Sequence, residues 1–456
     1  MKTILNFRRD LRIDDNELLS HEGLALLIFI FDKNILNNLD IDDSRVGFIF
    51  DNVLRLKDEL KKINLNLAIF FGYPVEIISY LKDLGFDVLK AGIDFDDYAK
   101  NRDIEISKIV KFTPLNNSFL IHPSTIKNKS FEPYKIFTPF YKEFLHSFKL
   151  PNRVKIGSIK LIDFDFEHIL ELSDGLILKK EIALSSIGFI KSNISKKFLQ
   201  KSAFELLHEF KPKINNYKEN RDFLDIEATS KIGIHLRFGT ISIFEVVRIL
   251  DKWFHEGYDV SEFYRQLIWR EFFNYILYHY PHSEFNNFLD IDIKWHDNME
   301  FFHRWCEGET GYPIIDACMK ELNKTGFMHN RGRMIVSSFF TKNLFLDWRL
   351  GERYFAKKLL DYESSSNVLS WQWASSTGTD AQPYFRVFNP YLQAQKFDSS
   401  CKYIKKYLPT LKDIDCKTIL TENGLSNSLF ANYPKAIVDY KSSKEYAINQ
   451  FKKAKS

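Results

Sequence analysis

The amino-acid sequence predicts an α/β N-terminal domain followed by an all-α C-terminal domain. The first 125 residues alternate short apolar runs with stretches of helical periodicity, a pattern typical of a parallel sheet wrapped by helices. From residue 198 onward, apolar residues recur at steps of three and four along segments of helix length. At 456 residues the chain exceeds the usual size of one hydrophobic core, so two domains are expected.

Four apolar runs of strand length define the predicted sheet, at residues 3–7, 24–31, 67–71 and 88–91. We place the first domain at residues 1–125, a linker at 126–197 and the helical domain at 198–456. The linker mixes proline, serine and lysine with isolated apolar pairs that keep no lasting period. Neither a Gly-x-Gly-x-x-Gly sequence nor a P-loop follows any predicted strand, so the ligand of the first domain stays open.

Composition narrows the class of protein. The net charge of +4 is only mildly basic, so any nucleic-acid binding must come from a local patch. Four cysteines without a Cys-x-x-Cys spacing predict reduced thiols and no metal site. The chain lacks an apolar run long enough to cross a bilayer, and its N-terminus does not resemble a signal peptide. We therefore expect a cytoplasmic protein that does not bind membranes.

Two polar segments are candidates for ligand binding. Thr229 and Ser230 precede a helical pattern, and hydroxyls and unpaired amides at a helix start suit a pyrophosphate, although helix capping alone accounts for the same residues. Gln266, Trp269 and Arg270 lie within one turn of a predicted helix, where they could receive a nucleic-acid base by hydrogen bonding, stacking and phosphate contact. An amphipathic core helix would show the same pattern.

All seven tryptophans fall between Trp253 and Trp373, which by itself indicates no more than a large aromatic core. Several motifs in and around this stretch, however, resemble DNA photolyases in order and spacing. They are Arg-Arg-Asp-Leu-Arg at 8–12, Tyr-Lys-Ile-Phe-Thr-Pro-Phe at 134–140, Trp-Arg-Glu-Phe at 269–272, Thr-Gly-Tyr-Pro-x-x-Asp at 310–316, Gly-x-Met-His-Asn-Arg-x-Arg at 326–333 and the segment 371–390. The likeness runs from residue 2 to about residue 410 and is densest in the helical half.

The resemblance implies a Rossmann-like first domain and a helical domain that binds FAD. Residues matching the family's pyrophosphate and ribityl segment are Tyr217, Thr229, Ser230, Lys231, Ile232 and Gly233, and those matching its isoalloxazine pocket are Arg333, Asp361, Glu363 and Asn367. Asn367 matches the residue that faces the flavin N5 atom. A polar group there can stabilise a reduced flavin.

The resemblance also assigns roles to the tryptophans. Trp371, Trp348 and Trp295 match a relay that carries an electron from the surface to the photoexcited flavin. Trp269 and Trp373 match the two rings that enclose a lesion flipped out of the DNA, a route for which photolyases are a known example. The remaining residues implied at the lesion or the DNA are Gln266, Asn330, Arg221 and Arg270. The expected reaction is light-driven repair of cyclobutane pyrimidine dimers by a monomer acting on damaged DNA.

Three positions depart from the pattern of cyclobutane repair. Gln266 stands where a glutamate is usual, Glu363 where an aspartate is usual, and Leu369 where a glycine is usual. Glutamine at the first position is typical of (6-4) photolyases and of blue-light cryptochromes, so both functions remain alternatives. However, (6-4) enzymes carry a histidine where this chain has Asn330. A flavin electron-transfer protein that never meets DNA would leave Trp269 and Trp373 without a purpose.

An antenna pigment is a further expectation from the resemblance, which places it in or beside the first domain. Residues 94–98, Asp-Phe-Asp-Asp-Tyr, loosely resemble the acidic segment that holds a folate in the family. A deazaflavin fits the resemblance no less well, so the pigment stays undetermined.

Overall fold

The computed structural model describes residues 1–162, 176–178, 183–192, 194, 200–426 and 433–454. The chain forms two compact units, neither of which is continuous in sequence. The first unit comprises residues 1–127, 142–208 and 231–264, and the second comprises 128–141, 209–230 and 265–456. The boundary between linker and helical domain that the sequence predicts, at residues 197 and 198, lies outside the described residues.

Among the described residues, the first unit contains a sheet of seven strands. The strands are β1 (Lys2–Phe7), β2 (Gly23–Asp32), β3 (Ala68–Gly72), β4 (Phe86–Gly92), β5 (Lys111–Leu115), β6 (Ile159–Leu161) and β7 (Leu176–Leu178). Their order is β5-β4-β1-β2-β3-β7, and β6 pairs with the start of β2. All pairs are parallel except that of β3 with β7. The predicted parallel α/β domain is confirmed.

Both faces of this sheet are covered, which is why β1 and β2 are almost continuously apolar. On one face, Leu5 and Leu27 pack with the buried side of helix Ser44–Lys62. On the other face, Ile4 and Ile28 pack with helix Pro74–Asp83. Side chains alternate between the two faces along each strand, so the sheet has a hydrophobic core on each side.

The segment predicted as a linker, 126–197, contains regular structure. It includes helix Phe137–Ser147 and the strands β6 and β7, which add to β2 and β3. Each of these strands is three residues long. Runs this short show no measurable period, and for this reason the sequence pattern did not indicate them.

Helices dominate the second unit, as predicted. Along the whole chain the described α-helices span Lys33–Leu36, Ser44–Lys62, Pro74–Asp83, Asp97–Ser107, Phe137–Ser147, Ala203–Phe210, Tyr217–Asn220, Gly233–Phe238, Ile243–His255, Ser261–His279, Met299–Glu307, Pro313–Thr325, Asn330–Ser338, Trp348–Lys358, Ser364–Ser375, Pro390–Phe397, Lys402–Tyr407, Cys416–Leu420 and Tyr440–Lys453. Within the described residues, no helix combines the length and apolar character needed to span a membrane.

The core of the second unit is built around tryptophans. Trp305, Trp348 and Trp371 are buried in one hydrophobic cluster. Trp371 lies directly against the backbone of helix Trp348–Lys358, because a Cβ atom added at Gly351 would fall 2.2 Å from its ring carbon Cη2. Glycine at this position therefore allows helix Ser364–Ser375 to approach helix Trp348–Lys358 closely.

The cysteines depart in part from the expectation of reduced thiols. Cys401 and Cys416 are joined in a disulfide, with Cα atoms 5.8 Å apart, while Cys306 and Cys318 are free and buried. The pair was missed because its separation of 15 residues carries no signature that distinguishes it from two unrelated thiols.

Candidate functional site

Helix Ser261–His279 carries the predicted base-binding residues on neighbouring positions of one face. Gln266 Oε1 accepts a hydrogen bond from Arg221 Nη2 at 3.0 Å. The Arg221 guanidinium also lies over the ring of Tyr217, 5.4 Å from its centroid. The structure thus brings together three residues that the sequence predicted separately.

Arg270, on the same helix, is held by carboxylates. Its Nη2 atom lies 2.9 Å from Glu363 Oε1, and its Nη1 atom lies 3.5 Å from Glu271 Oε1. Glu363 is buried and immediately precedes helix Ser364–Ser375. The longer glutamate therefore reaches across to the helix that carries Gln266 and Trp269, and the charge of Arg270 is balanced in the protein itself.

A second pair of this kind joins Arg333 to Asp361, with Nη2 2.9 Å from Oδ2. Arg333 Nε also donates to the carbonyl oxygen of Met328 at 2.9 Å. Both contacts fix the guanidinium plane, so Arg333 and Asp361 present a preorganised donor and acceptor.

Asn367 is oriented by a residue that the sequence analysis missed. Its Nδ2 atom donates to Glu352 Oε1 at 3.0 Å and to the Glu352 carbonyl at 3.3 Å, while Tyr362 donates to the same carboxylate. Glu352 is buried, and this burial raises the pKa of its carboxyl group. With its NH2 group committed to Glu352, Asn367 has its carbonyl end to offer a ligand. No local motif around Glu352 indicated this role.

The two predicted lesion-stacking tryptophans are both half-buried. Trp269 stacks on Phe137, with ring centroids 3.6 Å apart and planes inclined by 8°. Asn330 is exposed at the start of helix Asn330–Ser338, where its Nδ2 atom lies 3.7 Å from Met334 Sδ.

The three predicted relay tryptophans differ in exposure. Trp371 and Trp348 are buried, whereas Trp295 is half-buried and packs on Phe345 and Phe451. The indole of Trp348 donates to Asn287 Oδ1 at 2.9 Å. The series therefore contains two desolvated rings and one partly accessible ring.

The predicted pyrophosphate segment falls at a point where the chain passes from one unit to the other. Thr229 and Ser230 belong to the second unit, and Lys231, Ile232 and Gly233 to the first. Ser230 and Ile232 are buried, and Lys231 has a φ of 57°, a conformation that non-glycine residues seldom adopt. Ile232 caps helix Gly233–Phe238 without a side-chain hydrogen bond.

The first unit contains a cavity of about 210 Å³ at the carboxyl ends of its central strands. Ligands of open α/β sheets commonly bind at this edge. Arg8, Arg9, Arg102 and Arg237 line the cavity together with acidic residues and with Phe and Ile side chains. The sequence predicts no ligand group here beyond the loose resemblance of residues 94–98 to a folate-binding segment.

Several residues that line this cavity have buried polar atoms that form no hydrogen bond within the described chain. Asn6 Oδ1 and Arg8 Nη2 are buried without a hydrogen bond to any other part of the described chain. Unsatisfied buried groups are costly, and here one acceptor and one donor belong to residues that line the same cavity. Asp94 is ionised beside them: although burial favours the neutral acid, Arg9 and Arg237 lower the pKa of its carboxyl group to about 2.

Comparison with known families identifies the class of protein. The model described as the FAD-binding domain of DNA photolyase matches residues 263–453, and the DNA photolyase model matches residues 3–156. The helical part is thus a flavin-binding domain, which confirms the prediction of FAD.

Full-length relatives identify the family. The chain is 31% identical to the deoxyribodipyrimidine photo-lyase of Buchnera aphidicola, over 98% of both chains, and 31% identical to that of Alkalihalophilus pseudofirmus, over 98% and 97%. The archaeal photolyase from Sulfolobus tokodaii, solved with two FAD molecules, superimposes with a TM-score of 0.82 at 31% identity, over 99% of this chain and 100% of that one. The chain belongs to the DNA photolyase family.

A cryptochrome shares the same fold. The Synechocystis cryptochrome superimposes with a TM-score of 0.86, over 98% of this chain and 99% of that one. Its identity of 24% makes this a likeness of fold alone. The fold is therefore shared by proteins named photolyases and by one named a cryptochrome, and the fold alone does not define the function.

His329, next to Asn330, makes the second unit sensitive to acid. Its Nδ1 atom accepts from Arg331 N, and burial lowers the pKa of its imidazole to about 4. In the unfolded chain the pKa is about 6.5, so the unfolded state binds the proton first and stability falls between pH 6.5 and pH 4. We expect His329→Asn, which keeps a capping acceptor, to lose about 1–2 kcal/mol less stability between pH 7 and pH 5 than the wild type.

Urea unfolding at the two pH values measures this difference. The control is His255→Asn, which changes an exposed histidine on helix Ile243–His255 and should retain the wild-type loss. Equal losses in His329→Asn and the wild type would show that His329 does not titrate as described.

Proposed function

We propose that this protein repairs cyclobutane pyrimidine dimers in DNA under illumination. The observation that carries the proposal is the grouping of Arg221, Gln266 and Trp269, in which Arg221 also lies over Tyr217, a residue proposed to hold FAD. These side chains provide a cation for phosphate, an amide for a base carbonyl and a flat ring for stacking. Such a set has no use in a protein that only transfers electrons between soluble partners.

In its reduced form, bound FAD would supply the light-driven transfer of one electron and its return, so that repair would be redox-neutral. The residues proposed to hold the isoalloxazine are Arg333, Asp361, Glu363 and Asn367, and those proposed to hold the pyrophosphate and ribityl chain are Tyr217, Thr229, Ser230, Lys231, Ile232 and Gly233. The fixed Arg333–Asp361 pair and the amide of Asn367 fit the alternating donors and acceptors of a flavin ring. Their preorganisation lowers the cost of ordering the site around the cofactor.

The lesion must leave the duplex to reach this site. We propose that Trp269 and Trp373 stack on the extruded dimer and that Asn330 lies beside it. Gln266 accepts a hydrogen bond from Arg221 through its oxygen, and we propose that its NH2 group donates to a carbonyl of the lesion when DNA binds. A donor held there stabilises negative charge as it develops on that oxygen. Arg221 and Arg270 are the proposed DNA contacts, and Gln266 and Glu363 hold them in the free protein.

The alternatives are (6-4) repair and blue-light signalling, both of which Gln266 favours. Illumination of the purified, reduced protein with defined cyclobutane and (6-4) substrates distinguishes them. We expect repair of the cyclobutane substrate, and we expect Gln266→Glu to preserve or raise its quantum yield, because the carboxyl group can supply a proton as well as a hydrogen bond. A large loss in this variant would mean that the glutamine serves another lesion or signalling.

We propose that Trp371, Trp348 and Trp295 relay an electron to the flavin site from the surface. Indole is readily oxidised, and several short electron transfers are faster than one transfer over a long distance. The change from two buried rings to a half-buried one supports this direction.

We expect Trp371→Phe to abolish photoreduction of the oxidised protein, while chemically reduced protein still repairs DNA. Visible absorption measures the photoreduction. Trp253→Phe, which changes a buried indole of the other unit, is the control and should photoreduce normally.

We further propose that the cavity of the first unit holds an antenna chromophore, a folate or a deazaflavin-type ring. Asn6 Oδ1 and Arg8 Nη2 supply the acceptor and donor that the edge of either heterocycle requires. For the Sulfolobus tokodaii photolyase, the structure with two FAD molecules implies a novel light-harvesting cofactor, and this precedent supports a second pigment here.

We expect Arg8→Met to lose the second pigment and keep FAD, because methionine removes the donor from the cavity while Arg102 still pairs with Asp103. Chromatography of the pigments extracted after incubation with each chromophore measures both contents. Arg55→Met, at an exposed arginine of the same unit, serves as the control. Retention of the second pigment by Arg8→Met would remove the cavity from consideration.

A further inference from the structure

The motif at residues 134–140 has one side chain, that of Phe137, in contact with the proposed lesion-stacking residue Trp269. Phe137 is buried and covers one face of Trp269, at a centroid distance of 3.6 Å and an interplanar angle of 8°. Without other constraints, two aromatic rings prefer an offset or perpendicular arrangement to a face-to-face stack. The near-parallel stack must therefore be held by its surroundings.

Helix Ser261–His279 provides part of this support. The edge of Phe272 meets both stacked rings, with centroids 5.7 Å from Phe137 and 5.7 Å from Trp269. The Arg265 guanidinium lies 5.3 Å from the Phe137 centroid. Positions 265, 269 and 272 follow each other at helical spacing, so one face of the helix clamps the ring of Phe137.

The backbone around Phe137 is bound to a different part of the unit. Phe137 N donates to Asp380 Oδ2 at 3.1 Å, and Thr379 Oγ1 donates to the Lys135 carbonyl at 2.5 Å. These partners belong to the Gly-Thr-Asp motif at 378–380, which had no assigned role. The two motifs are therefore joined to each other.

The turn that contains Asp380 folds back on the helix that carries Trp373. Thr377 N and Gly378 N both donate to the Gln372 carbonyl, at 3.0 and 3.1 Å, and Gln382 N donates to the Trp373 carbonyl at 3.3 Å. A Cβ atom at Gly378 would lie 2.8 Å from Gln372 Cβ, so glycine is needed for this close return. The position of Asp380 is thereby tied to that of Trp373.

We infer that residues 135–137 are a brace that sets the spacing between Trp269 and Trp373, with Phe137 and Asp380 as positioning residues for the lesion. The side chain of Phe137 holds one tryptophan and its backbone amide is bound to the turn that holds the other. This inference rests on the proposed function, in which the two indoles enclose the extruded dimer. If the spacing between the two indoles is fixed in the free protein, the lesion can stack between them without a further cost for ordering their side chains.

Binding measurements test the functional side of the inference. Asp380 is exposed, so Asp380→Ala should fold, and we expect its affinity for dimer-containing DNA to fall about tenfold, a typical effect of losing one stacking contact, with unchanged affinity for the undamaged sequence. Asp380→Asn keeps an oxygen acceptor for Phe137 N and should restore the affinity. Phe137→Leu should behave as Asp380→Ala.

Phe140→Leu is the matched control, because Phe140 is equally buried and packs on Phe272 and Tyr275 rather than on Trp269. Equal affinities of Asp380→Ala and Asp380→Asn would overturn the inference. Parallel losses on damaged and undamaged DNA, or a loss in Phe140→Leu as large as that in Phe137→Leu, would do the same.

A second readout needs neither DNA nor light. Fluorine NMR of protein labelled with 5-fluorotryptophan reports each indole, and Trp269→Phe and Trp373→Phe assign the two lines. We expect both lines to shift in Asp380→Ala and in Phe137→Leu, and neither to shift in Asp380→Asn. If only the Trp269 line moves, the brace does not exist. If both lines move but the wild type shows no preference for damaged DNA, the brace stands and the proposed repair function fails.

Discussion

The contact between Trp371 and the backbone at Gly351 determines where helix Ser364–Ser375 lies, and most of the candidate site depends on that helix. Glu363 precedes it, Asn367 and Trp371 are within it, and Trp373 is near its end. A side chain at position 351 would push the helix away and displace all four residues together. The functional groups are therefore positioned by one packing contact in the core rather than by flexible loops.

Ion pairs and polar contacts connect this helix to its neighbours. Glu363 reaches Arg270, and Asn367 reaches Glu352 on helix Trp348–Lys358. Such buried groups need partners, because a buried polar group without a partner destabilises the folded protein far more than a solvated one does. The glutamate at position 363, which departs from the usual aspartate of the family, has a partner in this arrangement. Its extra methylene is accommodated by the position of Arg270.

The features that could be predicted from the sequence are those that rest on a periodic pattern of apolar residues or on a recognisable motif. The alternation of apolar runs predicted the parallel sheet, and the motifs of the helical half predicted FAD. Glu352 was not predicted, because a buried carboxylate that orients Asn367 leaves no periodic trace in the sequence. The bonds from Asp380 to Phe137 and from Arg221 to Gln266 were missed for a related reason: they join residues that are distant in the chain. The three-residue strands β6 and β7 are too short for any pattern to show them.

The discontinuous course of the chain has a consequence for its synthesis. The backbone amide of Tyr134 donates a hydrogen bond to the hydroxyl of Tyr275, 141 residues later in the chain. The backbone amide of Phe137 donates to the carboxylate of Asp380, 243 residues later. When residues 128–141 leave the ribosome, their partners have not yet been translated. The aromatic side chains of Phe137 and Phe140 are therefore exposed to solvent until those partners are synthesised. Contacts of such long sequence separation form slowly and leave apolar surface open to aggregation in the meantime. The second unit therefore cannot complete its core until the last of these partners has been synthesised.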